Sequence, residues 1–109
     1  MARRRLGRVE AVGPEGMRGF DAQGLLVLVA RIDGAWAALD DPCNHAGCML
    51  SWGRREADSV VCTCHGVAFD LATGKNLNAP LVCGDQRAWR VTEADGELWL
   101  EEDPDGPRP

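Results

Sequence analysis

Two Asp-Gly pairs, Asp33-Gly34 and Asp95-Gly96, constrain the fold more than any other feature of the chain. Leu25 to Ile32, rich in Val, Leu and Ile, precedes the first pair, and Ala35 to Leu39 follows it. Ala88 to Glu93 alternates before the second pair, and Glu97 to Glu101 alternates after it. A two-residue turn that matches strand twist needs left-handed backbone at its centre, which Asp-Gly tolerates, so each set reads as a β-hairpin. No stretch carries an apolar stripe at helical spacing. Leu6 to Val12 reads as a further strand, ended by Gly13-Pro14. Residues 40 to 86 read as short strands between glycine-bearing loops. Residues 103 to 109, Asp-Pro-Asp-Gly-Pro-Arg-Pro, cannot continue a strand and are expected to be a disordered tail. The expected fold class is all-β. It comprises one domain over residues 1–109, an antiparallel sandwich or barrel base with an inserted loop-rich subdomain over about residues 40–82.

Several functions are excluded or disfavoured at once. The longest apolar run, Leu25 to Ala30, falls far short of the roughly 20 residues that span a bilayer. A net charge of −5 and a pI near 4.9 argue against nucleic acid as a partner. The arginines at 3, 4 and 5 are followed by Leu6-Gly7-Arg8-Val9-Glu10, which lacks the apolar stretch of an export signal. A cytoplasmic location is therefore expected.

All five cysteines and both histidines fall between the two hairpins. The odd cysteine count forbids full pairing within one chain, and clustered thiols in a reducing compartment point to metal or redox chemistry. One loop reads Cys43-Asn44-His45-Ala46-Gly47-Cys48, and the other Cys62-Thr63-Cys64-His65-Gly66. Each offers a Cys and a His two or three positions apart, close enough to converge on one ion, and thiolate with imidazole suits zinc or iron. A structural zinc module is one reading. A catalytic Cys-His pair is another, although no Asn or Asp stands out to orient the histidine. Buried thiols would leave both histidines without a purpose.

The two loops resemble the signature of the Rieske [2Fe–2S] family, Cys-x-His, a spacer of this length, and Cys-x-x-His. Leu39, Leu50-Ser51, Gly53, Gly66, Phe69-Asp70, Thr73-Gly74 and Ala79-Pro80 extend the likeness across residues 36 to 82. The resemblance implies a Rieske fold with one cluster per chain. It assigns one iron to the thiolates of Cys43 and Cys62 and the other to the imidazoles of His45 and His65. Replacing two thiolates by neutral imidazoles raises the potential above that of an all-cysteine cluster. Pro80, otherwise a strand-end proline, would belong to a loop covering the cluster. Cys48 and Cys64 stand where respiratory Rieske proteins have a disulfide between the cluster loops, whereas oxygenase ferredoxins generally lack it. Cys83 is left over, as a small buried residue. Val67 and Phe69 occupy positions where high-potential members carry a serine and a tyrosine, so both hydroxyl donors are missing and a low potential follows.

The function so implied is that of a monomeric one-electron carrier, not an enzyme, passing electrons from a reductase to a terminal oxygenase. The alternative within the family is the small Rieske subunit of a larger oxidoreductase, such as an assimilatory nitrite reductase. Seven acids and no base lie between residues 93 and 105, and four arginines between residues 3 and 8. The acidic stretch is expected either to steer a basic partner or to form a solvated edge. Trp52 is expected in the core.

Overall fold

The structure is a computed structural model that describes residues 2–13, 16–44, 48–79, 81 and 83–102. Among the described residues nine strands form two antiparallel sheets: β1 (Ala2–Arg8), β2 (Met17–Ala22), β3 (Leu25–Ile32), β4 (Ala35–Asp40), β5 (Arg54–Glu56), β6 (Ser59–Val61), β7 (Ala68–Asp70), β8 (Ala88–Ala94) and β9 (Glu97–Glu102). The larger sheet runs β1-β9-β8-β4-β3-β2 and curls into a nearly closed barrel; the smaller runs β5-β6-β7. Two 3-10 turns, Val9–Val12 and Leu50–Trp52, complete the regular structure of the described residues. The fold is all-β. No described helix is long and apolar enough to cross a membrane.

Both Asp-Gly hairpins form as the sequence predicts. Asp33 and Gly34 have φ of 50° and 83°, and Asp95 and Gly96 have 54° and 76°. A third hairpin, β2–β3, turns at Gln23 (φ 57°) and Gly24 (φ 95°). The sequence reading missed it because glutamine is not a customary left-handed residue. Here Asp21 accepts a hydrogen bond from the Gly24 amide at 2.8 Å and holds the turn. The first strand is displaced from the expected Leu6 to Val12 and covers Ala2–Arg8 instead. Val9 to Val12 leaves the sheet as a 3-10 turn, with the Val9 amide tied to the Gly96 carbonyl at 3.0 Å. The tail at 103–109 lies outside the described residues.

β3 explains why its run is continuously apolar rather than alternating. Val27 and Val29 enter the barrel core with Leu6, Ala38, Val91, Leu98 and Leu100. Leu28 and Ala30, on the other face, join Leu39, Leu50, Val60, Phe69 and Leu71 in a second core. The β3–β4 hairpin is thus a wall shared by two cores, and the second core is the floor of the metal-ligand candidates.

Strand pairing also resolves the uneven charge. β1 lies beside β9, which sets Arg5 against Glu97 at 2.7 Å and Arg3 against Glu101 at 3.9 Å. The Arg5 guanidinium donates to Glu97 and holds its carboxyl below the ordinary value. Arg4 crosses the remaining gap in the barrel, donating to the Ala22 carbonyl of β2 at 2.8 Å.

Gly74 shows how closely the backbone approaches the second core. Its φ is +81°, and a Cβ there would overlap the Gln86 carbonyl. Gly34 has a similar φ with nothing near it. Gly74→Ala is therefore expected to cost about 1–3 kcal/mol more than Gly34→Ala, since both incur the left-handed penalty but only one also clashes. Chemical denaturation of the two variants checks this, and equal costs would contradict the close approach.

Candidate metal centre

The first ligand loop leaves β4 through a narrow neck. The Asp41 amide donates to Leu26, the Leu50 amide donates back to Asp41 at 2.7 Å, and Pro42 bridges Met49. Asp41, itself buried, fastens the neck by accepting from the Ser51 amide and hydroxyl at 2.7 and 2.6 Å. At the base of the loop the Cys43 amide donates to the Cys48 carbonyl. The second loop leaves β6 as a tight turn, closed by Cys62 N–H to Val67 and Gly66 N–H to Cys62, each 2.9 Å. Gly66 has φ +69°, the left-handed conformation that glycine adopts without strain.

These necks bury one thiol from each loop and leave the turn outside. Cys43 and Cys62 are 3% and 1% exposed, and both belong to the second core with Leu50, Val67 and Phe69. Thr63, Cys64, His65 and Gly66 are exposed. Cys48 and Cys64 form a disulfide across the two loops, with Cα atoms 6.4 Å apart, at the positions the resemblance indicated. His45 and Pro80 lie outside the described residues. Of the four expected ligands, the structure places Cys43 and Cys62 in one core and leaves His65 exposed, and no group of three or more metal-binding side chains forms among the described residues.

A third loop fastens the other two through side chains that sequence reasoning did not single out. The Gln86 side chain is 2% exposed and donates to the carbonyls of Asp40 and Pro42 at 2.7 and 2.6 Å. Its oxygen accepts from the Asn44 amide and side chain, at 3.2 and 2.8 Å. Asn78 does the same for the second loop, donating to Gly66 and accepting from the Ala68 amide, each at 3.0 Å. Asn76, buried, shapes the third loop itself by donating to Ala79 and Cys83 and accepting from the amides of Asn78 and Ala79. The available signal was the density of side-chain amides at 44, 76, 78 and 86. An Asn or Gln amide can both donate and accept, which loops without a ladder need. No buried side-chain N or O among the described residues lacks a partner.

Two expectations need correction. Trp52 is 67% exposed rather than in the core. The 3-10 turn has one inward position and Leu50 takes it, while Gly53 abuts the Val61 carbonyl and leaves no room to turn the tryptophan inward. Cys83 is half-buried; it packs against the second core, with the Asn76 amide 3.5 Å from its sulfur.

The donor set fits an iron–sulfur cluster. Two thiols outside the disulfide share one apolar core, and His65 is exposed in the turn that follows Cys62. The profile of the Rieske [2Fe–2S] domain matches residues 3–90. The chain belongs to the Rieske [2Fe–2S] family. A Rieske-type cluster is its cofactor. Sulredoxin of Sulfurisphaera tokodaii is 32% identical over 85 residues, covering 72% of this chain and 76% of that protein. The ferredoxin component of biphenyl 2,3-dioxygenase from Rhodococcus jostii is 41% identical over 54 residues, half of each chain. Among solved structures, the ferredoxin of carbazole 1,9a-dioxygenase from Nocardioides aromaticivorans superposes with a TM-score of 0.81 at 25% identity. That superposition covers 92% of this chain and 97% of the other.

In this Rieske domain the loops depend on Gln86. Gln86→Leu removes the donor to two buried carbonyls and the acceptor for Asn44, a loss of about 2–4 kcal/mol. Heating should then bleach the cluster at a lower temperature while the far-ultraviolet unfolding midpoint falls less, because the barrel core is untouched. Equal falls in both midpoints would show that Gln86 supports the whole fold.

Proposed function

We propose that this protein is a cytoplasmic one-electron carrier whose cluster is held by Cys43 and Cys62 on one iron and by His45 and His65 on the other. The observation that carries the reading is the burial of one thiol from each loop in a shared apolar core, with His65 exposed beside them. The cluster supplies a single reversible electron site. Cys43 and Cys62, both buried, would hold the cluster away from water, and His65, exposed, would supply an imidazole within reach of a partner. The Cys48–Cys64 disulfide fixes the distance between the loops, which lowers the rearrangement that accompanies a change of charge. Pro80, outside the described residues, is assigned to the cover over the cluster.

The ferredoxin components of dioxygenase systems among the relatives support a terminal oxygenase as acceptor, and a reductase is the donor that such a carrier requires. Such complexes are small and transient, which suits a monomeric carrier that must leave after each electron. No site residue in this reading activates a substrate, so bond chemistry belongs to the partner.

Val67 and Phe69 set the potential. Both are buried in the second core, at 2% and 0% exposure, and both present only carbon to its interior. Without hydroxyl donors the extra negative charge of the reduced state is less stabilised. An anaerobic redox titration is expected to give a midpoint near −150 mV, at the low end of the Rieske range. Electron delivery is tested by reducing the holo-protein with an NADH-dependent flavoprotein and mixing it with an oxygenase component. A strongly positive midpoint, or a reduced protein that passes no electron onward, would contradict the reading.

A further inference from the structure

β4 and β8 are neighbours in the larger sheet, yet they pair only at Ala38↔Trp89 and Leu39↔Ala88. β4 begins at Ala35 and β8 continues to Ala94, so no ladder joins residues 35–37 to residues 90–92. The space there is a cleft of about 470 Å³, within the size range of small-ligand sites. Its lining takes no residue from either ligand loop.

Two features keep the cleft open. Ala35, Ala37, Ala72 and Ala88 stand in its lining, and none of these side chains is long enough to reach across. Its two large walls, Trp36 and Trp89, are fixed by their ring N–H groups, which donate to Glu93 at 2.8 Å and to Asp40 at 2.6 Å. Indoles held in this way fill the gap only by giving up a hydrogen bond.

Cations gather at the same place. Arg90 lines the cleft, Arg31 lies over the Trp36 ring at 4.4 Å from its centroid, and Arg87 lies over the Trp89 ring at 5.1 Å. None of the three forms an ion pair among the described residues, although acids outnumber Lys and Arg in the chain by 17 to 12. The acids on these strands are engaged. Glu93 and Asp40 accept from the indoles, and Glu101, opposite Arg90 on β9, accepts from Thr92 and faces Arg3. An aromatic slot with guanidiniums that lack an anion of their own is complementary to a ligand that is flat, apolar and negative at one end.

We propose that the β4–β8 cleft is a binding site for a planar aromatic carboxylate, its ring system against Trp36 and Trp89 and its carboxylate on Arg90. A guanidinium presents two parallel N–H donors that match a carboxylate; an alcohol meets them singly, and an ammonium is repelled. The indoles favour a flat apolar body through the area it covers and through ring stacking. The site is independent of the electron-carrier reading.

The test titrates the holo-protein with 2-naphthoate by calorimetry, beside 2-naphthylmethanol and 2-naphthylmethylammonium, which carry the same ring. Naphthoate should bind once per chain, the alcohol about tenfold or more weakly, and the ammonium not measurably. Equal affinity for the three head groups means unspecific apolar adsorption and overturns the proposal, as does the lack of saturable binding in the low millimolar range. Two variants locate the site. Arg90→Gln, at an exposed position, should weaken naphthoate about tenfold and leave the alcohol unchanged. Ala37→Leu, which puts a branched side chain into the cleft, should weaken both about tenfold or more with an unaltered visible spectrum. Binding indifferent to either substitution lies elsewhere and overturns the proposal. Where Ala37→Leu fails to fold, the head-group selectivity of Arg90→Gln decides alone. A dimer in solution that Ala37→Leu dissolves also overturns it, since the cleft would then hold a second copy.

Discussion

The ligand loops of this protein hold their positions through side-chain amides, those of Asn76 and Gln86 buried, rather than through strands. Gln86 alone satisfies two carbonyls of the first loop's neck and accepts twice from Asn44. Asn78 grips the second loop on both sides of its turn, and Asn76 folds the segment from which they reach. Such groups are costly to bury unless every donor and acceptor is matched, and here they are matched. A fully satisfied amide network has one low-energy arrangement, which is what a metal site needs from loops that lack a ladder. The disulfide adds a covalent limit to the same separation. In the chain-entropy view, a bridge of this span contributes about 3 kcal/mol.

The barrel serves this site as a rigid support. The β3–β4 hairpin sends alternate side chains into two cores, so each thiol rests on residues fixed from behind by the barrel. Charge is managed by the same topology. The basic N-terminal strand and the acidic C-terminal hairpin, far apart in sequence, lie side by side as β1 and β9 and neutralise one another. The two ligand loops themselves, residues 42–53 and 59–69, contain no charged residue, although the molecule carries an appreciable net negative charge.

Much of this was legible in the sequence, for reasons that can be named. Asp33-Gly34 and Asp95-Gly96 specify their hairpins because the turn's backbone demand is local. Cys43, Cys62 and His65 stand out in the sequence as proposed ligands because metal chemistry restricts ligand type and spacing. The Gln23-Gly24 turn was not legible, since its support comes from the Asp21 side chain rather than from a favoured residue pair. The outward face of Trp52 was hidden too, because it follows from which single position of a 3-10 turn meets the core. The roles of Gln86 and Asn78 depend on segments 10 to 46 residues away, a relation that no local pattern encodes. The pairing of acids with N-terminal arginines is of the same kind, visible only once β1 is placed beside β9.

The central claim is that two thiols and two imidazoles of this chain hold one cluster. Pulsed electron paramagnetic resonance on the reduced protein, with histidine alone labelled with nitrogen-15, tests it most directly. The chain has only two histidines, so the account predicts strong coupling to two labelled imidazole nitrogens, one from each residue. A paramagnetic cluster with no histidine coupling would mean all-thiolate ligation and would contradict the account, as would a colourless protein that holds zinc.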